Sequence, residues 1–256
     1  MNEPDNTNNV FSYSSRDEIQ AYRELEQLLD DWPCFQGEVL ANLGLFLTRA
    51  SLSRLLFMHD LYLKILDVPG CVMEFGTSWG QNLALFQSLR TIYEPQNMGR
   101  KVIGFDTFSG LPGTSPEDGA LMASASQAGK CTVSPDYETL LARILDCHER
   151  LGPRSHYKKY ALIKGNVIDT LPAYLKEYPE TLVGLAYFDL GLYESTLASL
   201  RAIMPHITKG SVIGLDHLGM SEGPGDSRAI MEVLGYPNYR FVRDPRVPFQ
   251  SYVVIQ

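Results

Sequence analysis

The first seventy residues show the spacing of amphipathic helices. Apolar residues recur every three or four positions between Ser15 and Asp31. A second and broader apolar stripe extends from about Thr48 to Leu66. The pattern therefore predicts a helical N-terminal extension over residues 1–69. Roughly the first 14 residues of this extension are expected to be mobile.

From Gly70 onward, short apolar runs alternate with helical segments, which is typical of βαβ units. Strands are predicted at residues 71–75, 101–105, 160–163, 182–188 and 211–215. Helices are predicted at residues 80–93, 137–150, 170–178, 194–204 and 227–234. Two further runs, 239–243 and 250–255, predict a terminal antiparallel pair. Residues 70–256 are thus expected to form a doubly wound α/β domain, whose mostly parallel sheet carries helices on both faces.

The segment 110–135 does not fit either pattern. It is rich in glycine, serine, proline and alanine, and it is longer than a routine connection. Long connections in compact domains often carry function, so we predict a lid over the active site here.

Composition narrows the possible functions. With 22 basic and 30 acidic residues, the formal charge is −8, which argues against a general nucleic-acid binder. No run approaches the roughly 20 apolar residues of a membrane helix, and the N-terminus lacks the features of a signal peptide, so a cytoplasmic protein is expected. The four separated cysteines predict reduced thiols, mostly buried, and Trp79 is expected in the core.

A glycine turn and an acidic residue follow the first two predicted strands. Gly76 and Gly80 lie where the first strand turns into a helix, a place where glycine lets a ligand approach the backbone. Their spacing is not that of a pyrophosphate-binding loop. Asp106 follows the second strand and can accept hydrogen bonds from ribose hydroxyls. Together they favour an adenosine ligand such as S-adenosylmethionine, although tight packing and helix capping remain alternative explanations.

Three polar residues follow the fourth and fifth predicted strands. Asp189 ends the fourth strand, and Asp216 and His217 end the fifth. Because the carboxyl ends of parallel strands meet at one edge of a sheet, these residues are expected to converge. Such a cluster can supply a general base or ligands for Mg²⁺.

From about residue 48 to the C-terminus, the chain resembles the macrocin O-methyltransferase (TylF-like) family of sugar methyltransferases from natural-product pathways. The resemblance is carried, in the family's order, by LSRLLFMHDLYLKILDVPGCVMEFGTSWGQNLA, GFDTFSGLP, KGNVIDTLP, YFDLGLYEST and GSVIGLDHLGMSEGPGDSRAIMEV. It implies a class I methyltransferase fold and methyl transfer from S-adenosylmethionine, usually to a sugar hydroxyl.

The resemblance also implies roles for individual residues. It places the cofactor against Glu74, Gly76, Thr77, Ser78, Gly80, Asp106, Thr107, Ser109 and Asp189. Family members bind Mg²⁺ through an Asp like Asp189 and two consecutive acids, of which Asp216 is the first. Here His217 replaces the second acid, and Gly191 replaces the second Asp of the DxDLYEST pattern. An imidazole suits zinc, iron, nickel or copper better than magnesium. The sequence therefore does not decide whether Asp189, Asp216 and His217 form a metal site.

The expected function is therefore methylation of a sugar or aminosugar part of a small natural product. Asp189 and His217 are the candidates for base or acceptor orientation. The resemblance favours O-methylation. N-methylation of an aminosugar without metal is the alternative, because an amine needs only to lose its ammonium proton. A homo-oligomer is possible.

Two other classes of protein remain as alternatives. The run Gly76-Thr77-Ser78-Trp79-Gly80 matches the GxSxG nucleophile elbow of an α/β-hydrolase. Its weakness is position, because that elbow normally follows several strands. A non-catalytic adenosine-binding protein that has lost its metal site would bind the cofactor without turnover.

Overall fold

The computed structural model describes residues 15–33, 38–247 and 249–256. The prediction of a mobile N-terminus and the thiol of Cys34 therefore lie outside the described residues. The chain divides into two compact units, Met1–Leu55 and Leu56–Gln256. The predicted boundary at residues 69 and 70, which separates the helices from the first strand, stays a prediction.

The described residues of the first unit form two helices and the start of a third. Helix α1 (Arg16–Asp30) begins with a capping box, in which the Ser15 amide donates to Glu18 Oε2 at 2.8 Å and the Glu18 amide donates to Ser15 Oγ at 3.2 Å. A 3₁₀ helix (Leu40–Phe46), which the pattern did not predict, follows. Helix α2 (Arg49–Leu63) begins in this unit and ends in the second.

The second unit is built on a seven-stranded sheet. Its strands are β1 (Cys71–Phe75), β2 (Val102–Asp106), β3 (Tyr160–Lys164), β4 (Val183–Phe188), β5 (Ile207–Leu215), β6 (Val242–Arg243) and β7 (Ser251–Val254). Their order is β3-β2-β1-β4-β5-β7-β6. The first five strands pair in parallel, and β7 runs antiparallel to both β5 and β6. The predicted doubly wound sheet with its antiparallel end is confirmed.

Helices alternate with the strands of this unit. They are α3 (Gln81–Tyr93), α4 (Gly119–Gln127), α5 (Tyr137–Leu151), α6 (Val167–Glu177), α7 (Tyr193–Ile203) and α8 (Gly225–Val233). Only α4 was not predicted. It lies within the segment 110–135 and buries only Met122 and Ala125, too few residues to make an apolar stripe.

Two apolar layers enclose the sheet. One face of the sheet packs with α6, α7 and α8, and the other with α3, α5 and α2 from Phe57 onward. Along β1, Met73 lies in the first layer and Val72 in the second, as alternation along a strand requires. Covering both faces removes the apolar strands from water and leaves the strand ends as the accessible edges.

A buried ionic cluster lies next to the amino ends of β1, β2 and β3. We call it the amino-edge network, and it consists of Arg90, Glu94, Arg100, Glu149 and Lys159. Arg100 Nε donates to Glu94 Oε2 at 2.9 Å, and its other nitrogens donate to the carbonyls of Ile65, Val68 and Gly70. Arg90 and Lys159 both pair with Glu149. Every cation here faces a carboxylate, as buried charges require.

Two packing expectations need correction. Among the described cysteines, only Cys71 is buried, while Cys131 and Cys147 are exposed. Trp79 is 44% exposed and contacts the edge of the Tyr137 ring, so it is not part of the core.

No helix among the described residues has the length and apolar character that a bilayer crossing requires.

Candidate active site

The glycine turn after β1 has a backbone that other residues cannot easily adopt. Gly76 and Gly80 have φ angles of +88° and +78°, which favour glycine. A Cβ on Gly76 would lie 2.1 Å from the carbonyl oxygen of Asp189, and one on Gly80 would lie 2.3 Å from Leu141 Cδ1. The turn therefore packs directly against the end of β4 and leads into the N-terminus of α3.

Asp106 ties the end of β2 to this turn. Its Oδ2 accepts a hydrogen bond from the Ser78 amide at 2.7 Å, and its Oδ1 accepts one from the Phe108 amide at 2.6 Å. A carboxylate can accept about four hydrogen bonds, so both oxygens can still accept from the hydroxyls of a ligand. The next helical turn begins at Pro116, and helix capping therefore does not explain this residue.

Other predicted cofactor residues hydrogen-bond to or pack against neighbouring parts of the protein. Glu74 is buried and its Oε1 accepts from Asn82 Nδ2 at 2.7 Å. Thr77 is buried beside Gly104, where an added Cβ would lie 2.6 Å from its hydroxyl oxygen. Thr107 donates to the carbonyl of Gly110 at 2.5 Å. These side chains shape the loops at this edge, as does Ser109, whose amide donates to Thr107 Oγ1.

The structure brings Asp189, Asp216 and His217 together at the carboxyl ends of β4 and β5. One potential ligand atom from each lies within 4.8 Å of the others. His217 Nε2 lies 3.4 Å from Asp216 Oδ2, and His217 Nδ1 lies 3.7 Å from Asp189 Oδ1. A fourth residue, Asp226, places its Oδ2 at 3.6 Å from His217 Nδ1. We call these four residues the carboxyl-edge cluster.

Two carboxylates of the carboxyl-edge cluster are held by neighbouring groups. Asp216 Oδ1 accepts hydrogen bonds from the Tyr187 hydroxyl and from Gln250 Nε2, each at 2.5 Å. Asp226, which is 2% exposed, accepts from Thr196 Oγ1 at 2.5 Å and from the Gly191 amide at 3.2 Å. These contacts fix the surroundings of His217.

The electrostatics of the carboxyl-edge cluster determine the charge of His217. Burial alone lowers the pKa of its imidazole, but the charge of Asp216, the hydrogen bond with Asp226 and the charge of Asp189 together raise it. The balance places the His217 pKa at about 10. At neutral pH both nitrogens of this ring are therefore protonated, and the positively charged ring faces three carboxyl groups.

The segment 110–135 contacts the turn that follows Asp189. Asp118 is buried, and its Oδ1 accepts from the Tyr193 amide at 2.5 Å, at the start of α7. A Cβ on Gly191 would lie 2.7 Å from Met122 Cε in α4. Asp118 and Asp226 were not predicted as site residues, because their partners lie 75 and 35 positions away in the chain.

These residues do not fit a magnesium ion. Magnesium prefers oxygen ligands in near-octahedral geometry, whereas here an imidazole stands among the carboxylates and its two nitrogens face different carboxylates. A second carboxylate at position 191 would require a non-glycine residue at a φ angle of +68° and a shift of the Met122 side chain. The glycine turn and Asp106, in contrast, do fit an adenosine ligand, because backbone and carboxylate lie at the same edge.

The strand order, with β7 antiparallel between β5 and β6, together with this site defines a class I S-adenosylmethionine-dependent methyltransferase. The model of the macrocin O-methyltransferase (TylF) family matches residues 44–232, and the chain belongs to this family. The family match contradicts the hydrolase hypothesis for Ser78, and that serine follows the first strand of the sheet rather than a later one.

Solved structures agree with this assignment. The crystal structure of CalS11, a calicheamicin methyltransferase, is 37% identical, covers 99% of this chain and 98% of its own, and has a TM-score of 0.90. An apo structure of CalS11, there called TDP-rhamnose 3'-O-methyltransferase, is 38% identical over 95% of this chain and 96% of its own, with a TM-score of 0.84. The O-methyltransferase NovP, 20% identical over 80% of each chain with a TM-score of 0.62, shares the fold. A search of curated proteins found no significant match.

Proposed function

We propose that this protein transfers the methyl group of S-adenosylmethionine to a hydroxyl group of a sugar carried by a small molecule. The observation that carries the proposal is the position of Asp189. Its carbonyl packs against Gly76 of the glycine turn, and its carboxylate belongs to the carboxyl-edge cluster. The candidate base and the glycine turn proposed for the cofactor therefore lie next to each other at the same edge of the sheet. The sugar class is supported by CalS11, which acts on TDP-rhamnose and is 38% identical.

For the cofactor, we propose that the turn Gly76–Gly80 and Asp106 bind the adenosine part. Asp106 would accept hydrogen bonds from the ribose hydroxyls while it keeps its bonds to the Ser78 and Phe108 amides. Glu74, Thr77, Thr107 and Ser109 would act mainly by shaping the turn and the loop after β2. When bound, S-adenosylmethionine supplies a methyl group on a positively charged sulfur that an acceptor oxygen can attack in line.

For the acceptor, we assign the role of general base to Asp189. A sugar hydroxyl is a weak nucleophile until it begins to lose its proton, so a nearby base is needed. Because its pKa is raised to about 10, His217 is positively charged at neutral pH, and its Nδ1 would hold the Asp189 carboxylate in place for the acceptor. Asp216 and Asp226 would position this ring. No step is assigned to a magnesium ion, since the residues do not fit one.

The segment 110–135 is our candidate for the lid over the acceptor. It is anchored by Asp118 to the start of α7 and by Met122 beside Gly191, so it borders the turn that carries Asp189. The choice of acceptor would then depend on this segment, because it would line the approach to the proposed base. A separate extension over residues 1–69 and a homo-oligomer remain predictions.

The test is methyl transfer from labelled S-adenosylmethionine to a panel of nucleotide-linked sugars. The panel pairs TDP-6-deoxyhexoses with the matching TDP-aminosugars, and mass spectrometry with NMR locates the new methyl group. We expect methylation of a sugar oxygen. Methylation of an amine would instead establish the N-methylation alternative. Tight binding of S-adenosylhomocysteine without turnover on any acceptor would favour the non-catalytic alternative.

A further inference from the structure

The imidazole of His217 lies between carboxylates on both of its nitrogen-bearing sides. Nε2 faces Asp216 Oδ2 at 3.4 Å, while Nδ1 faces Asp189 Oδ1 at 3.7 Å and Asp226 Oδ2 at 3.6 Å. A histidine that binds a metal ion uses one ring nitrogen for the metal. Here Asp189 and Asp216 approach different nitrogens, so the ring itself lies between the two carboxylates, while one ligand atom from each of the three residues lies within 4.8 Å of the others.

The surroundings hold this arrangement in place. Tyr187 and Gln250 donate to one oxygen of Asp216, which leaves its other oxygen facing the ring. Thr196 and the Gly191 amide donate to Asp226, whose side chain is 2% exposed. Moving His217 aside would leave buried carboxylates facing each other, which is costly without a compensating cation.

The backbone at position 191 opposes a further oxygen ligand in the cluster. Gly191 has a φ angle of +68°, and a Cβ there would lie 2.7 Å from Met122 Cε. A carboxylate at this position would therefore require a strained backbone and a shift of the flexible end of the Met122 side chain. The imidazole lies between the carboxylates, and the backbone conformation of Gly191 disfavours a replacement ligand there.

We propose that the His217 side chain takes the place that a divalent cation would need in the carboxyl-edge cluster, so that this protein works without a divalent metal. The proposal rests on the proposed function only in treating Asp189 as part of the acceptor site. The ring separates the carboxylates and presents a nitrogen to each side, and this arrangement requires no ion from solution.

The first test measures metal binding directly. Mn²⁺ is titrated into the full-length protein saturated with S-adenosylhomocysteine, and free Mn²⁺ is followed by its EPR signal. We expect no binding tighter than about 1 mM, the weak end of oxygen-ligand sites. The purified protein is also analysed for zinc, iron, nickel and copper, which suit imidazole ligands. Micromolar Mn²⁺ binding, or a stoichiometric metal that Asp216→Asn removes, would overturn the proposal.

Two variants at one position sharpen this test. His217→Asp replaces the ring with a carboxylate beside Asp189 and Asp216. We expect the Mn²⁺ affinity of this variant to rise at least about tenfold, because oxygen ligands suit this ion. The matched control His217→Asn removes the ring without adding charge and should gain little. Equal affinities of the two variants and the parent would contradict the proposal. If His217→Asp does not fold, the measurement on the parent protein still decides.

The outcome is separable from that of the proposed function. The proposed function fails if no sugar accepts a methyl group, whatever the metal result. The metal-free site fails if Mn²⁺ or another metal binds at Asp189 and Asp216, even when methyl transfer is found. Methyl transfer by the parent protein that is unchanged by EDTA, together with absent Mn²⁺ binding, supports both.

Discussion

The second unit contains two buried charged clusters, at opposite edges of the same sheet. In the amino-edge network, Arg90 and Lys159 pair with Glu149, and Arg100 pairs with Glu94. The carboxyl-edge cluster instead surrounds one imidazole with three carboxyl groups. One cluster matches cations with carboxylates, and the other has an excess of acid.

This difference separates a structural from a functional use of charge. The guanidinium of Arg100 donates to three loop carbonyls and to Glu94, so it joins the loop before β1 to the loop before β2 and needs no ligand. An excess of carboxyl groups in a buried place costs stability, and such sites are typically retained for function. The comparison predicts that changes at the amino edge affect folding, and that changes at the carboxyl edge affect catalysis.

The largest effect is expected at Arg100. Arg100→Met keeps most of the side-chain volume but leaves Glu94 and the carbonyls of Ile65, Val68 and Gly70 without their donor. Removing one partner of a buried ion pair typically costs about 3–5 kcal/mol in unfolding free energy. Urea denaturation measures this loss. The exposed Arg201, which pairs with Glu232 at the surface, is the control, and Arg201→Met should cost at most about 1 kcal/mol. Equal losses at both arginines would break the comparison.

The second prediction concerns Asp189. Asp189→Asn keeps the shape of the side chain but removes the proposed base, and kcat should fall by about 100-fold or more. Its side chain is 24% exposed, so the unfolding free energy should change far less than in Arg100→Met. Initial rates and urea denaturation on the same preparation give both numbers. A large loss of stability with normal kcat would assign Asp189 a structural role.

The third prediction concerns alkaline pH. Asp189, Asp216 and Asp226 raise the His217 pKa from 6.5 to about 10, so the folded protein binds a proton that the unfolded chain releases above about pH 6.5. The resulting stabilisation is complete below pH 6.5 and is lost progressively as pH rises toward 10. Urea denaturation between pH 6 and pH 10 should show this decline, and it should be shallower in His217→Gln. Parallel curves for the two proteins would contradict the assigned pKa.

Much of the fold was predictable because it depends on local patterns. Strand β1 was predicted with its observed bounds, since the five residues between Gly70 and Gly76 are apolar except for Glu74. Strand β5 begins four residues earlier than predicted, at Ile207, because Thr208, Lys209 and Gly210 interrupt the apolar run. Helix α4 was missed for the same reason, as its short sequence has no apolar periodicity.

The site was predictable only where it follows strand ends. Asp106, Asp189, Asp216 and His217 each come directly at or after a strand, so the topology brings them to one edge. Asp118 and Asp226 lie at the starts of helices and look like ordinary helix-terminal acids. Their roles depend on contacts with Tyr193 and Gly191 that form only when distant segments pack together. The sequence holds no local signal for such contacts.

The most direct test of the account is calorimetric titration with S-adenosylhomocysteine. The account predicts binding by the parent protein and an affinity about tenfold lower in Asp106→Asn, a change of about 1.4 kcal/mol, because one carboxylate oxygen is lost beside the glycine turn. The control Asp67→Asn, at an exposed position before β1, should bind like the parent. Unchanged affinity in Asp106→Asn, or no binding by the parent protein, would contradict a cofactor site at the carboxyl edge of this sheet.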